Sequence, residues 1–237
     1  MTVVESVRRA EVELGGPGSL KGKTVLVPAG LSGVGSLALQ VLKRIYGAGK
    51  VITTVSPAKL PLITDFLGQG VVDQVVDYTR GPAHVIREIG KGTVDVMLDT
   101  AFMAMPYLPV LKGGMKGFLL TITGKEGRTL REDWPEIGGW LVCAVDLLDR
   151  WYRWRAGRWG VRYKNVFVKA DGVDLDVLAG WVIEGKVRPV IGRVVKWEDL
   201  EGVKALCQFM YDRKGGVGKY VIDLECLDLP KEIAAYN

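Results

Sequence analysis

The sequence predicts an α/β protein on a doubly wound parallel sheet, with a small α+β extension at its C-terminal end. Three observations carry that expectation. Short β-branched and apolar runs recur at residues 24–27, 50–55, 72–77, 94–98 and 117–122, their starts 22 to 26 residues apart. Helix-length segments at 34–46, 58–67, 82–90 and 103–111 fill the gaps. At 24–45 a strand, a glycine turn and a helix follow one another without interval. Strand–helix alternation at this spacing is the pattern of right-handed βαβ units.

Residues 1–20 read as a short N-terminal helix over 3–14, then a break at Gly15-Gly16-Pro17-Gly18. The first strand, Thr24-Val25-Leu26-Val27, has the unbroken apolar character of a strand buried on both faces. Gly30-Leu31-Ser32-Gly33-Val34-Gly35 follows at once. Beyond it Val34, Leu37, Ala38, Val41, Leu42 and Ile45 fall on one helical stripe. In this setting Gly30 allows the tight exit from the strand and Gly35 lets the helix approach the sheet. The helix N-terminus then offers N–H groups and a positive dipole end to a pyrophosphate. Ser32 stands where the G-x-G-x-x-G pattern has its middle glycine. A glycine turn alone is weak evidence, but strand before and helix after favour a Rossmann-like dinucleotide site.

The second strand sharpens this expectation. An NAD site places an Asp or Glu near its end to hold the ribose hydroxyls. Here the strand closes Val55-Ser56-Pro57-Ala58-Lys59, without a carboxylate. A hydroxyl and a lysine suit an adenosine 2′-phosphate, so NADP(H) is the expected cofactor. Ser56 and Pro57 can also open the next helix as N-cap and first residue. Tyr78, after the third strand, either flanks the adenosine or packs on the surface. The fourth strand ends at Asp99 and Thr100 and the fifth reaches Thr123. Both strand ends point at the crevice of an open parallel sheet, towards the nicotinamide half.

Residues 124–135 read as a charged loop. Ile137, Trp140, Leu141, Ala144, Leu148, Trp151 and Arg155 then recur at helical spacing, an amphipathic helix over 137–156. Its continuation through Lys164 interleaves six basic with five aromatic residues. That composition fits tryptophans covering the domain edge, a peripheral membrane contact by 137–164, or base stacking. No specific nucleic-acid site is expected. A sixth strand is expected at 165–169, then helix 174–185, strand 189–195, helix 198–213 and strand 219–224, with a poorly ordered tail. The domain reading is therefore 1–20 as helix and linker, 21–170 as dinucleotide-binding domain, and 171–237 as the extension.

Bulk properties agree with a globular protein acting on small molecules. Apolar residues are 48% and charged residues 25% of the 237-residue chain. No run reaches the roughly 20 apolar residues of a membrane span, and the first ten residues lack a signal-peptide core. Cys143, Cys207 and Cys226 give neither a disulfide framework nor a zinc spacing, which suits a reduced, cytoplasmic setting. The single histidine, His84, has no neighbouring ligand, and no metal site is expected. A net charge of +5 suits an anionic ligand without identifying it.

Taken together, several stretches resemble the medium-chain dehydrogenase/reductase superfamily. They are Gly22-Lys23-Thr24-Val25-Leu26-Val27, the Gly33-Val34-Gly35 turn with Gln40 in its helix, and Val94-Asp95-Val96-Met97-Leu98-Asp99. Lys186 to Val194 and Gly218 to Asp223 complete the set. Within the superfamily the chain looks most like the zinc-free quinone oxidoreductase and enoyl reductase group, especially fungal zinc-type alcohol-dehydrogenase-like proteins. The resemblance spans about residues 20–224. It implies NADPH-dependent hydride transfer to an activated C=C or C=O of a small-molecule substrate. The family normally starts with a GroES-like catalytic domain, which this sequence is expected to lack, so no catalytic residue carries over. Two further departures follow. Ala101-Phe102-Met103-Ala104 replace the family's glycine pair near the nicotinamide, and residues 189–224 lose their usual partner. That leaves a homo-oligomer or a partner chain to cover them. The alternative reading is a non-redox protein that binds the cofactor or a metabolite, as a partner subunit or a recruited cyclase or isomerase.

Overall fold

The computed structural model describes residues 1–124, 127–167, 171–212 and 215–224. Its centre is a six-stranded, all-parallel sheet in the order β3-β2-β1-β4-β5-β6. The strands are β1 Thr24–Val27, β2 Lys50–Val55, β3 Gln74–Asp77, β4 Val96–Asp99, β5 Gly117–Thr121 and β6 Val161–Asn165. This is the doubly wound order, which reverses direction between β1 and β4. The continuous apolar runs fit because each strand is covered on both faces. Val25, Val27, Val96, Leu98, Phe118 and Leu120 pack into one core, while Leu26, Met97 and Leu119 pack into the other. Alternation along the strand therefore sorts residues between two apolar layers and not between core and water.

One layer holds α1 (Thr2–Leu14), α2 (Gly35–Gln40) and α3 (Leu62–Leu67). α2 runs on through a π turn at Val41–Ile45. Val3, Val7 and Ala10 of α1, and Val187 and Val190 far downstream, belong to this same core. α4 (Pro82–Ile89) covers the opposite face. The extension adds α7 (Gly172–Ile183), α8 (Leu200–Tyr211) and a parallel two-stranded sheet of β7 (Ile191–Lys196) and β8 (Lys219–Asp223). Gln40, fully buried, ties it to the main sheet's helices. Its Nε2 donates to the Arg188 carbonyl at 2.8 Å, and its Oε1 accepts from the Arg188 N–H at 2.8 Å.

Four expectations are corrected. Residues 103–111 form turns and a single 3-10 turn at Leu108–Val110, not an α-helix. Pro106 and Pro109 lack the N–H groups an α-helix would need there. Residues 124–135 are not all loop, since α5 spans Gly127–Asp133 around the buried Leu130. The sixth strand is Val161–Asn165, four residues earlier than expected. Gly160, at φ +64°, ends the preceding helix and frees the second half of the basic-aromatic run to pair with β5. Residues 168 and 169 of the expected strand, and the tail from 225, lie outside the described residues.

The fourth correction concerns the long helix α6 (Gly139–Arg158). Its inward side is made by Val142, Asp149, Tyr152 and Ala156, with Ala156 fully buried. Two of the tryptophans expected to cover the domain edge, Trp140 and Trp154, point outward, while Trp151 lines a cavity beneath the helix. Trp140 is 77% exposed and Trp154 57%. Arg155 and Arg158 lie over the rings of Trp151 and Trp154, at 5.5 and 5.4 Å. Of the two α6 carboxylates, Asp146 accepts from the Gly127 N–H of α5 and Asp149 accepts from Arg153 one turn along the same helix. Among the described residues no helix is long and apolar enough to cross a membrane.

Candidate functional site

Where the strand order reverses, the carboxyl ends of neighbouring strands leave a crevice, the usual ligand position of this architecture. A cavity of about 700 Å³ occupies it. Its floor is the glycine turn after β1. A Cβ on Gly35 would collide with the Ala29 carbonyl and the Ser32 hydroxyl, and one on Gly30 with Thr53 of β2. The turn is thus as tight as the pattern demands. Ser32 has a definite task in it, because its Oγ accepts the Gly35 N–H at 3.0 Å, as an N-cap does. Ala29 adopts φ +55°, a left-handed conformation uncommon outside glycine and concentrated at functional sites.

The side wall comes from the end of β2. Pro57 opens a 3-10 turn, Pro57–Lys59, yet the Ser56 hydroxyl makes no capping bond and lines the crevice. Lys59 Nζ donates to the Gly215 and Gly216 carbonyls at 2.5 and 2.9 Å. Two of its three donors are thereby used, and burial pushes its ammonium below the usual lysine range. Tyr78 lines the same cavity and is 46% exposed. Thr100 lines it too, its Oγ1 donating to the Pro28 carbonyl at 2.8 Å.

Two expected site residues fall elsewhere. Asp99 is fully buried and spent on its own loop, accepting from the N–H groups of Ala101, Met103 and Ala104 at 2.9–3.1 Å. Burial outweighs these bonds and moves its carboxyl above the ordinary range. Thr123 bonds Thr121 Oγ1 at 2.8 Å and faces a second cavity beyond Phe102. Phe102 borders both cavities, at φ +58° and 68% exposed.

Sequence reasoning did not anticipate the crevice's far wall. Phe209, Gly215, Gly216, Gly218 and Tyr220, from α8 to the start of β8, close it. The Gly218 N–H donates to the Leu31 carbonyl at 2.7 Å, so this segment crosses directly over the glycine turn. The cluster Gly215-Gly216-Val217-Gly218 was the available signal for close backbone approach.

Comparisons with known proteins agree with this geometry. Residues 71–222 match the family model described as zinc-binding dehydrogenase. The chloroplastic NADPH-dependent alkenal/one oxidoreductase of Arabidopsis thaliana is 38% identical over 100 residues, 42% of this chain and 24% of that protein. The mitochondrial NAD(P)H oxidoreductase RTN4IP1 of Danio rerio is 31% identical over 180 residues, 73% of this chain and 42% of that protein. The chain thus spans between a quarter and under half the length of these relatives. Among solved structures, the quinone oxidoreductase of Coxiella burnetii superposes with a TM-score of 0.66 at 22% identity, covering 94% of this chain and 57% of that one. The quinone oxidoreductase of Thermus thermophilus, known also in complex with NADPH, gives 0.60 at 21% identity over 94% of this chain and 62% of that one. With the family match covering more than half of its length, the chain belongs to the zinc-binding dehydrogenase family.

Proposed function

We propose that this chain binds NADP(H) in the glycine crevice and reduces an activated C=C or C=O of a quinone, enone or enoyl substrate. One observation carries the reading. A tight glycine turn at the sheet's switch point faces Ser56 and Lys59, with no carboxylate at the end of β2 to repel a 2′-phosphate. Gly30, Ser32, Gly33, Val34 and Gly35 would receive the pyrophosphate, and Ser56, Lys59 and Tyr78 the phosphorylated adenosine. Thr100 flanks the passage toward the nicotinamide. When bound, the cofactor supplies a hydride. The residues described contribute positioning: the turn fixes the phosphates, Asp99 fixes the loop at the passage, and the apolar crevice walls exclude water.

The family description names zinc, and the described residues do not fit it. No three of His, Cys, Asp and Glu gather among them, and Cys143 and Cys207 are separately exposed. No step is assigned to a metal.

The partner reading follows from exposure. Met210, Tyr211 and Leu224 are 52%, 83% and 72% exposed in the extension, which supports a second copy or a partner chain over residues 189–224. Sedimentation at several concentrations tests this. The outward face of α6, with arginines and no carboxylate, supports peripheral contact with an anionic membrane surface, tested by liposome flotation at low and high salt. A cytoplasmic location remains part of the proposal, tested by fractionation.

The cofactor reading is tested by titrating NADPH and NADH against tryptophan fluorescence. Lys59→Met should weaken NADPH about tenfold through its lost phosphate contact and leave NADH nearly unchanged. No response to NADPH in the unsubstituted protein would sink the reading.

A further inference from the structure

A further cavity, of about 520 Å³, lies at the opposite edge of the sheet from the glycine crevice. α2 leaves the carboxyl end of β1 and runs back along the sheet, ending in the π turn at Val41–Ile45. That end reaches the strand entrances, where the Gly22 N–H donates to the Gly47 carbonyl at 3.0 Å. The end of α3 and the turn from α7 into β7 meet it there. Leu67 and Val187, both buried, make the apolar walls with Phe66, Val182 and Pro189.

Two arginines, Arg44 and Arg188, line the same cavity. Among the described residues neither has a carboxylate within ion-pairing distance, and the nearby salt bridges, Lys43 with Asp73 and Lys186 with Glu184, leave both out. Arg44 belongs to the π turn, a widened turn that is rare in proteins and frequent at functional sites. Its guanidinium is fixed from two sides. Nη2 donates to the Leu67 carbonyl at 2.8 Å and Nη1 to the Lys186 carbonyl at 3.1 Å. Carbonyls orient the fork without neutralising it, and further N–H donors remain on it. Gly68, at φ +85°, makes room, because a Cβ there would stand 2.9 Å from Nη2. Arg188 is fixed through its backbone, which bonds the Gln40 amide twice, while its exposed guanidinium has no hydrogen bond among the described residues. Against these two charges the lining offers one carboxylate, the exposed Asp65. Like charges around one cavity repel until an anion joins them.

We infer that this cavity is a second ligand site, for an amphipathic anion whose carboxylate or phosphate is held between Arg44 and Arg188 and whose hydrocarbon body lies on the apolar walls. Guanidinium forks match the paired oxygens of either head group. The walls favour an anion with an apolar body over a bare inorganic one. The site lies across the sheet from the crevice and does not rest on the NADP(H) reading.

The test uses probes that share one tail: octanoate, octyl phosphate, octanol and octylammonium. Calorimetry measures their affinities, and amide NMR shifts show whether residues 65–68 and 185–188 respond. The better anion should bind about fivefold or more tightly than octanol, with octylammonium weaker still. Whichever anion is tighter identifies the head group. Arg188→Met should remove most of that preference. It breaks no side-chain bond within the described protein, and thermal unfolding verifies that it folds. Asp65→Asn takes away the opposing charge and should tighten octanoate about two- to threefold, a gain that a purely apolar groove would not show. Equal affinity for anion and alcohol, no binding of either anion at millimolar concentration, or an unchanged affinity in both variants would overturn the inference. So would amide shifts confined to other residues. Displacement of octanoate by NADPH would place the anion in the crevice and overturn it too. Failure of NADPH itself to bind removes only the cofactor reading.

Discussion

The two cavities at the carboxyl edge of the sheet differ in how their polar groups are used. In the glycine crevice they bond to the protein itself. Thr53 Oγ1 donates to the Val27 carbonyl at 2.6 Å, Thr54 Oγ1 accepts from the Ala29 N–H at 3.2 Å, and Ser32 and Thr100 bond likewise. Under α6, Asp149 and Asn165 each keep an acceptor unpaired. The crevice is therefore held in shape by bonds the protein makes to its own backbone, whereas the second cavity is walled mostly by aromatic and aliphatic side chains. Substitutions should separate the two.

The largest effect should come from Asp99, which serves both by holding the loop between them. Asp99→Ala strips three N–H groups, one buried and two part-buried, of their acceptor and should cost about 3–5 kcal/mol in urea unfolding. NADPH binding should weaken with it. The pH dependence gives a second readout. Because burial raises this carboxyl above its unfolded value, the native state keeps the proton at pH values where the unfolded chain has lost it. Across that window the native state binds more protons, so this contribution to stability falls as pH rises. The variant should lack that slope above about pH 4.

Next comes Gln40, which anchors the segment leading to the crevice's far wall. Gln40→Leu leaves the Arg188 N–H and carbonyl unpaired, at a cost of about 2–3 kcal/mol. NADPH affinity should drop and amide exchange rise at residues 187–190, with exchange in β6 at residues 161–165 unchanged.

Gly35→Ala tests the crevice at its floor. The added methyl meets the Ala29 carbonyl, and overpacking of this kind costs about 1–3 kcal/mol. NADPH binding should disappear while circular dichroism and thermal unfolding show the fold intact.

The same contrast explains what could be read from residues alone. The crevice floor was legible because strand, glycine turn and helix are adjacent, and Gly30 and Gly35 have their roles within a dozen residues. So was the parallel sheet, since β1 and β2 are buried on both faces and carry no polar alternation. The far wall was not, because Gly215 to Gly218 meets Leu31 across more than 180 residues. Asp99 was placed correctly at a strand end, but sequence does not reveal which N–H groups will surround a carboxylate, and its own loop took it. β6 was misplaced because Arg162 and Lys164 make it look like a continuation of the charged helix. Pairing with β5 and burial of Val161 decide the matter, and neither is local.

Phe102 carries the smallest expected change in stability and the sharpest test of the boundary. Its left-handed φ costs a phenylalanine about 1 kcal/mol that glycine avoids, and glycine's greater unfolded-state entropy takes back a similar amount. Phe102→Gly should therefore shift the unfolding midpoint very little. Most of the ring faces solvent, so little core is lost with it. Its removal nevertheless opens a wall shared by two cavities, since Phe102 lines both. If the ring bears on the bound cofactor, the variant should change NADPH affinity severalfold in a fluorescence titration, and an unchanged affinity would show that the ring lies outside the cofactor's reach.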